Sequence, residues 1–231
     1  MSSPGRKFRD AIYDQFARIG KAASSPKRLE LLDLLCQGER TVEALAKEAN
    51  LTVANASRHL QILRAARLVE AEKSGLFVTY RIADAMVADF TRAIRVLGEH
   101  RLAEVGDTAR RFFGAREGME AVDGGTLLER VRQGTVTVID VRPPEEYRAG
   151  HLVGALSMPL KELEARLSEL PNDQEIVAYC RGPYCLLAVQ AVELLRSAGF
   201  RAGRLSEGVQ DWQVLGVPIA AGEQPVVGSV P

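Results

Sequence analysis

The chain has 231 residues, 46% of them hydrophobic, with 30 Lys+Arg against 30 Asp+Glu; this is globular composition, enough for one large or two small domains, and it excludes disordered, collagenous and coiled-coil classes. No apolar run approaches the roughly 18 to 20 residues of a bilayer span, and the opening MSSPGRKFRDAIYDQF has charges where a signal peptide needs an apolar core. A cytoplasmic protein with no membrane partner is expected, and three cysteines, an odd number, do not make a disulfide framework.

The zero net charge hides an asymmetry: residues 1–114 carry 19 Lys+Arg and 14 Asp+Glu, whereas the remainder carries 11 and 16. A basic half fits a polyanionic partner such as nucleic acid, with charges merely scattered over solvated faces as the alternative. Apolar residues at helical spacing (Ile12, Phe16, Ile19; Leu29, Leu32, Leu35) predict two helices, the second opened by Ser25-Pro26. Thr41 caps a short helix VEALAKEA that stops at Asn50. Thr52 caps the next, VANASRHLQILRAARL, whose Ala56, Leu60 and Leu63 share one face while Asn55, Ser57, Arg58 and His59 surround it. Helix, three-residue break and polar-fronted helix make the helix-turn-helix pattern.

LVEAEKSGLFVTYRIA then predicts a hairpin, Leu68–Glu72 and Leu76–Ile82 around Lys73-Ser74-Gly75. One long helix is predicted from about Asp84 to Phe113, with a stripe (Val87, Phe90, Ile94, Leu97, Leu102, Val105) too long for a small domain to bury. Such a stripe asks for a partner helix, most simply from a second subunit, so a homodimer is expected. Gly114 to Gly118 breaks the helix and reads as a linker. Beyond it the period changes: TVTVID, GALSMP, EIVAYC and RAGRLS read as buried strands, alternating with helical stretches GTLLERVRQ, LKELEARLSEL and CLLAVQAVELLRSAG. Strand alternating with helix implies a parallel α/β sheet covered on both faces.

A reading helix needs short polar or basic side chains that reach base edges, and Thr52, Asn55, Ser57, Arg58 and His59 supply them, Arg58 being the strongest candidate. His59 is also placed to pack inward or bond the hairpin. The stretch from SSPKRLELL to VTYRI, with SRHL, ILRAARLV and a hairpin ending at Tyr80, resembles the winged helix-turn-helix of the ArsR/SmtB repressors over about 60 residues. The resemblance implies a homodimer on double-stranded operator DNA, the hairpin with Lys73 touching the adjacent minor groove or backbone. Metal sensing, common in that family, is not expected. VEALAKEA has no cysteine, the long helix has Asp89, Glu99 and His100 but no Asp-x-His pair, and Cys36 stands alone on an apolar face as a small core residue.

Cys180 ends a predicted strand and precedes Arg-Gly-Pro-Tyr-Cys and a helix, an arrangement that aims backbone N–H groups at one atom. A thiolate there is stabilised, so the Cys180 pKa is expected below the ordinary value of about 8.5. IDVRPPEEYRAGHLVGALSMP, IVAYCRGPYC and LSEGVQDWQVLGVP together resemble the rhodanese domain across roughly Met119 to Ala220. What that implies is a Cys180 persulfide, formed from a sulfane-sulfur donor (thiosulfate or a persulfide) and passed to a thiol acceptor. The loop Gly182, Pro183, Tyr184, Leu186 would cradle the sulfur, Arg181 would bind an anionic donor, and Asp140, Arg142, Glu146 and His151 would be structural. The sixth residue after Cys180 is Leu186, so no arginine waits for phosphate or arsenate. Cys185 stands where rhodaneses commonly place a basic residue, which disfavours thiosulfate and allows a Cys180–Cys185 disulfide.

The expected fold is thus multidomain α and α/β. A winged helix-turn-helix (1–114) is followed by a linker (115–118), a rhodanese-like domain (119–220) and a loose tail (221–231), with no cofactor and no metal. Joined, the halves suggest a transcriptional regulator that senses or transfers reactive sulfur. A sulfurtransferase whose first half only dimerises, and a regulator with an inert rhodanese fold, stay open as alternatives.

Overall fold

The computed structural model describes residues 3–75, 77–114, 121, 122, 130, 133 and 135–223, and the chain forms two compact units, Met1–Ile94 and Arg95–Pro231. The expected linker 115–118, most of GTLLERVRQ and the tail after Glu223 lie outside the described residues.

The first unit holds α1 (Pro4–Ala23), α2 (Pro26–Cys36), β1 (Arg40–Thr41), α3 (Val42–Glu48), α4 (Val53–Ala65), β2 (Val69–Ser74), β3 (Phe77–Ile82) and the start of α5 (Ala85–Arg101). Two of the expected caps are made, Thr41 Oγ1 accepting from the Ala44 amide and Thr52 Oγ1 from the Asn55 amide, each at 3.3 Å, whereas Ser25 sits at the N-cap of α2 without a side-chain cap bond. Each of those two bonds contributes about 1 kcal/mol. Between α3 and α4 the backbone turns through Asn50 at φ 51°, a left-handed position that asparagine tolerates. Leu31, Leu32, Leu35, Leu45, Leu60 and Leu63 are buried together beneath Tyr80 and Val87, which locks α4 with its polar face outward. The hairpin turns at Gly75, φ 60°, pairs Glu72 with Thr79 and Lys73 with Val78, and takes β1 against β3 on its other side.

The long helix expected from 84 to 113 is instead two. Leu102 is extended (φ −112°, ψ 100°) and separates α5 from α6 (Ala103–Phe113). Leucine is a good helix former and the apolar stripe runs straight through it, so nothing local marks the break.

The second unit continues with β4 (Ala121–Val122), β5 (Val136–Asp140), α7 (Pro144–Ala149), β6 (His151–Leu152), β7 (Leu156–Ser157), α8 (Leu160–Leu163), a 3₁₀ turn (Glu164–Glu169), β8 (Glu175–Tyr179), α9 (Leu186–Ser197), β9 (Ala202–Leu205), α10 (Val209–Val214) and β10 (Ile219–Ala220). The sheet order is β4-β9-β8-β5-β7, all parallel. The four residues Ile176 to Tyr179 are wholly buried because both faces are covered. Ile139, Ile176, Ala178 and Cys180 pack with Leu163, Ala188, Val192 and Leu195 on one face. Val138, Val177, Tyr179 and Leu205 pack with Val209 and Trp212 on the other.

The predicted strand GALSMP shrinks to Leu156–Ser157 at the sheet edge, and LKELEARLSEL is half 3₁₀. The antiparallel pair β6–β10 joins residues nearly 70 apart, Leu152 with Ile219, and its two-residue strands leave no periodic signal.

Candidate functional site

On α4, Thr52, Asn55 and Arg58 are exposed, and Lys73 is exposed on β2; Ser57 and His59 are half-buried. The Thr52 oxygen is used as a cap, yet its hydroxyl hydrogen stays free to donate outward. Among the described residues His59 makes no hydrogen bond to the hairpin, and its buried Nδ1 has no partner. Val53 and Ile62 also stand exposed on this helix, apolar positions that the polar-face reading passed over.

In the second unit, β8 delivers Cys180 to a loop that ends at Cys185, the residue at the N-cap position of α9. Gly182 takes φ 147°, a conformation rare for side chains that carry a Cβ. Gly208, at the start of α10, faces this turn so closely that a Cβ there would lie 2.4 Å from the Arg181 carbonyl oxygen. The loop is therefore clamped between backbone and backbone. Asp211 accepts from the Gly208 amide at 3.1 Å and holds that clamp in place.

The expected cradle is present, but its electrostatics differ from expectation. The amides of Gly182 and Ala188 face the Cys180 sulfur, yet Cys180 is only 2% exposed, and burial pushes its thiol well above the ordinary value; its hydrogen bond to Cys185 pushes it further. The Cys180 sulfur also donates to the Cys185 carbonyl at 3.5 Å. Cys185, half-buried, has beside its sulfur the Cys180 thiol, the amides of Arg181 and Leu187 and the Arg181 charge, which together lower its pKa to about 7. The expectation of a depressed Cys180 pKa is thus corrected. Burial outweighs two amides there, whereas Cys185 at the helix N-terminus is lowered.

A second correction concerns Arg181. Its Nη2 donates to Glu146 Oε1 at 2.6 Å and its Nε to both carboxylate oxygens at 3.0 and 3.1 Å. Glu146 is 1% exposed, so the pair is largely desolvated and the loop arginine is already ion-paired, although its charge still helps to lower the Cys185 pKa. It is not poised for an anionic donor. Beneath the loop, Arg142 donates to Asp140 at 2.5 to 3.1 Å and to the Gly150 carbonyl at 2.7 Å, and both side chains are buried. His151 donates from Nδ1 to the Tyr147 carbonyl at 2.7 Å and stacks on the Tyr147 ring. Its buried Nε2 has no hydrogen-bond partner among the described residues.

Pro183 lies in the same turn, while Tyr184 and Leu186 stand 44% exposed at its rim. The Tyr184 hydroxyl donates to Glu99 at 3.0 Å; burial and that carboxylate push its pKa up to about 12. Arg204, unremarked in the sequence, is a buried cation on β9, and Gly208 was legible only as part of LSEGVQDW. Among the described residues no group of three or more His, Cys, Asp or Glu is gathered to hold a metal ion, and no helix is long and apolar enough to cross a membrane.

Comparison with known proteins agrees with this division. The rhodanese-like domain model matches residues 124–215 and the model for bacterial regulatory proteins of the arsR family matches residues 25–71. The HTH-type transcriptional regulator Rv0324 of Mycobacterium tuberculosis is 44% identical over 212 residues, 92% of this chain and 93% of that protein. A sulfurtransferase of Allochromatium vinosum is 33% identical over 104 residues, 44% of this chain and 95% of its own. A probable mercury resistance operon repressor of Streptomyces lividans is 32% identical over 104 residues, 45% of this chain and 82% of its own.

Proposed function

Because the chain belongs to the ArsR family of helix-turn-helix transcriptional regulators and carries a rhodanese-like domain, we propose that it binds operator DNA through α4 and takes up sulfane sulfur at Cys180. The observation that carries the sulfur reading is the pairing of two thiols in one loop, the inner one buried with its pKa pushed up, the outer one at a helix N-terminus with its pKa lowered.

The favoured donor is an organic persulfide. Arg181 is ion-paired with Glu146 and so offers no open charge to thiosulfate. Beside the loop lies a groove of about 710 Å³ with a mostly apolar lining, including Val105, Ala109, Phe112, Tyr184 and Leu186, which suits an organic body. In the first step the Cys185 thiolate takes the Cys180 proton and the freed sulfur attacks the terminal sulfur of R–S–SH. The S–S bond breaks, RS⁻ leaves, and it collects the proton from Cys185, so Cys180 ends as Cys–S–SH. A thiol acceptor reverses these events. Without one, Cys185 attacks the inner sulfur, HS⁻ leaves and a Cys180–Cys185 disulfide remains.

On the DNA side, exposed Arg58, Asn55 and Thr52 face the groove and Lys73 the backbone beside it. A second copy of the chain completes the two half-sites: α1 leaves Phe8, Ile12 and Phe16 exposed four residues apart on one face, a stripe that one subunit does not cover. Mass spectrometry after incubation with persulfide or thiosulfate, followed by operator binding of each product, tests the whole reading. Expected are one added sulfur atom on Cys180 with persulfide, little with thiosulfate, and altered operator affinity of the loaded form. No added sulfur refutes the donor chemistry; equal operator affinity of all forms refutes the coupling.

A further inference from the structure

We propose that Glu99, one turn beyond Arg95 on α5, is a positioning residue of the sulfur loop and makes the order of α5 follow the chemical state of the Cys180–Cys185 pair. The role rests on the sulfur-uptake reading and supplies its regulation. Within the second unit, two side chains of α5 reach the loop from its two ends. Glu99 Oε1 accepts the Tyr184 hydroxyl at 3.0 Å, and Tyr184 is the neighbour of Cys185. Arg95 donates to Asp211, and Asp211 accepts from the Gly208 amide at 3.1 Å. A Cβ on Gly208 would lie 2.4 Å from the carbonyl oxygen of Arg181, the neighbour of Cys180. Arg95 also donates to Glu99 Oε1 at 3.3 Å, which joins the two routes within one turn of helix.

These contacts are sheltered. The Arg95 and Glu99 side chains are 26% and 31% exposed and that of Asp211 is 10% exposed, so water competes less for them than on an open face. Burial and Glu99 raise the Tyr184 pKa to about 12, which keeps its hydroxyl a donor at neutral pH. In the reduced loop the Cys180 thiol donates to the Cys185 carbonyl at 3.5 Å. A persulfide on Cys180 replaces that proton with a second sulfur, and a disulfide replaces it with the Cys185 sulfur. In either state the bond to the Cys185 carbonyl is lost, and the backbone that carries Tyr184 shifts. Side-chain ties in the last turns of a helix suppress its local opening, so α5 loosens when Tyr184 leaves Glu99. The helix is continuous from Ala85 to Arg101, and Val87, near its start, is buried with Leu60 and Leu63 of α4. Glu99 does not touch the donor and acts through Tyr184.

Hydrogen exchange of the α5 amides, read by mass spectrometry, tests this in full-length protein carrying Cys36→Ser. The protein is compared before and after diamide, which takes two electrons and two protons from the pair and leaves the Cys180–Cys185 disulfide. Without further substitution, oxidation should speed α5 exchange about fivefold. Glu99→Ala and Tyr184→Phe should exchange faster already when reduced, and oxidation should change them by less than about twofold. Glu99→Gln, whose amide oxygen still accepts from Tyr184, should keep most of the response, a rescue that a merely structural role would not give. No rise on oxidation, or an equal rise in Glu99→Ala and Tyr184→Phe, overturns the proposal. Tyr184 is 44% exposed, so Tyr184→Phe carries the comparison should Glu99→Ala fail to fold. Should diamide leave the thiols free, methyl methanethiosulfonate caps the more acidic one as its S-methyl disulfide, releasing methanesulfinate, and the same comparison decides. A response to diamide without sulfur gained from a persulfide sinks the uptake reading and leaves the role of Glu99 standing; sulfur gained without a response does the reverse.

Discussion

Arg181, in the sulfur loop, closes on Glu146, a carboxylate 35 residues earlier that is 1% exposed. The charge that a rhodanese-like loop would offer to an anion is spent on holding the loop to α7. This pairing, with Cys185 at the N-terminus of α9, decides which donors the site favours.

Replacing Glu146 with Gln should release Arg181 and shift donor preference towards thiosulfate. The cost in stability is expected at about 2 to 3 kcal/mol, since Arg181 retains some solvent contact. Sulfur loading from thiosulfate relative to persulfide, alongside urea unfolding, checks this; an unchanged donor ratio contradicts it.

The Asp140–Arg142 pair is more deeply placed, with side chains 0% and 1% exposed. Asp140→Asn leaves a buried guanidinium short of its counter-charge and should cost about 3 to 5 kcal/mol. Denaturant unfolding measures it, and a loss below about 1 kcal/mol would show that Gly150 and Tyr179 suffice to hold Arg142.

The two thiols make stability depend on pH in opposite senses. Cys185 titrates near 7 in the folded chain, below its ordinary value, so its contribution is present in full above the unfolded value and is lost as pH falls through 7. Cys180 is raised, so it opposes folding once pH passes the unfolded value and the unfolded chain ionises. Reduced wild type should therefore gain stability from about pH 7 to 9 relative to Cys185→Ser. Urea titrations at pH 6, 7, 8 and 9 read the difference, and a flat one would refute the assignment of thiolate to Cys185.

Arg58→Ala should weaken operator binding by about 1 to 3 kcal/mol with no change in unfolding midpoint, because the side chain is exposed on α4. Fluorescence anisotropy at moderate salt decides it; full affinity in the variant removes Arg58 from the interface.

Phe8→Asp with Phe16→Asp places two charges on the apolar stripe of α1 and should convert a dimer to monomers in sedimentation velocity. If wild type is itself a monomer at working concentration, the stripe has another purpose and the dimer reading fails.

Much of this molecule is written locally. Thr41 and Thr52 announce the starts of α3 and α4, and Leu60 and Leu63 set which face of α4 turns inward, because caps and a 3.6-residue period act within one or two turns of chain. The hairpin at Gly75 and the run from Ile176 to Tyr179 follow from equally short-range rules of turn geometry and two-sided burial. The cysteine pair, with its strand, loop and helix, was legible for the same reason: only four residues lie between Cys180 and Cys185. What the sequence could not decide is where long-range partners fall. The break at Leu102 occurs in a residue that favours helix. Arg181 is drawn to Glu146, a contact between residues far apart in the chain. Above all, the depth of Cys180 is a property of the packed sheet and helices. That depth, through desolvation, raises the Cys180 pKa, and no spacing of residues along the chain encodes it.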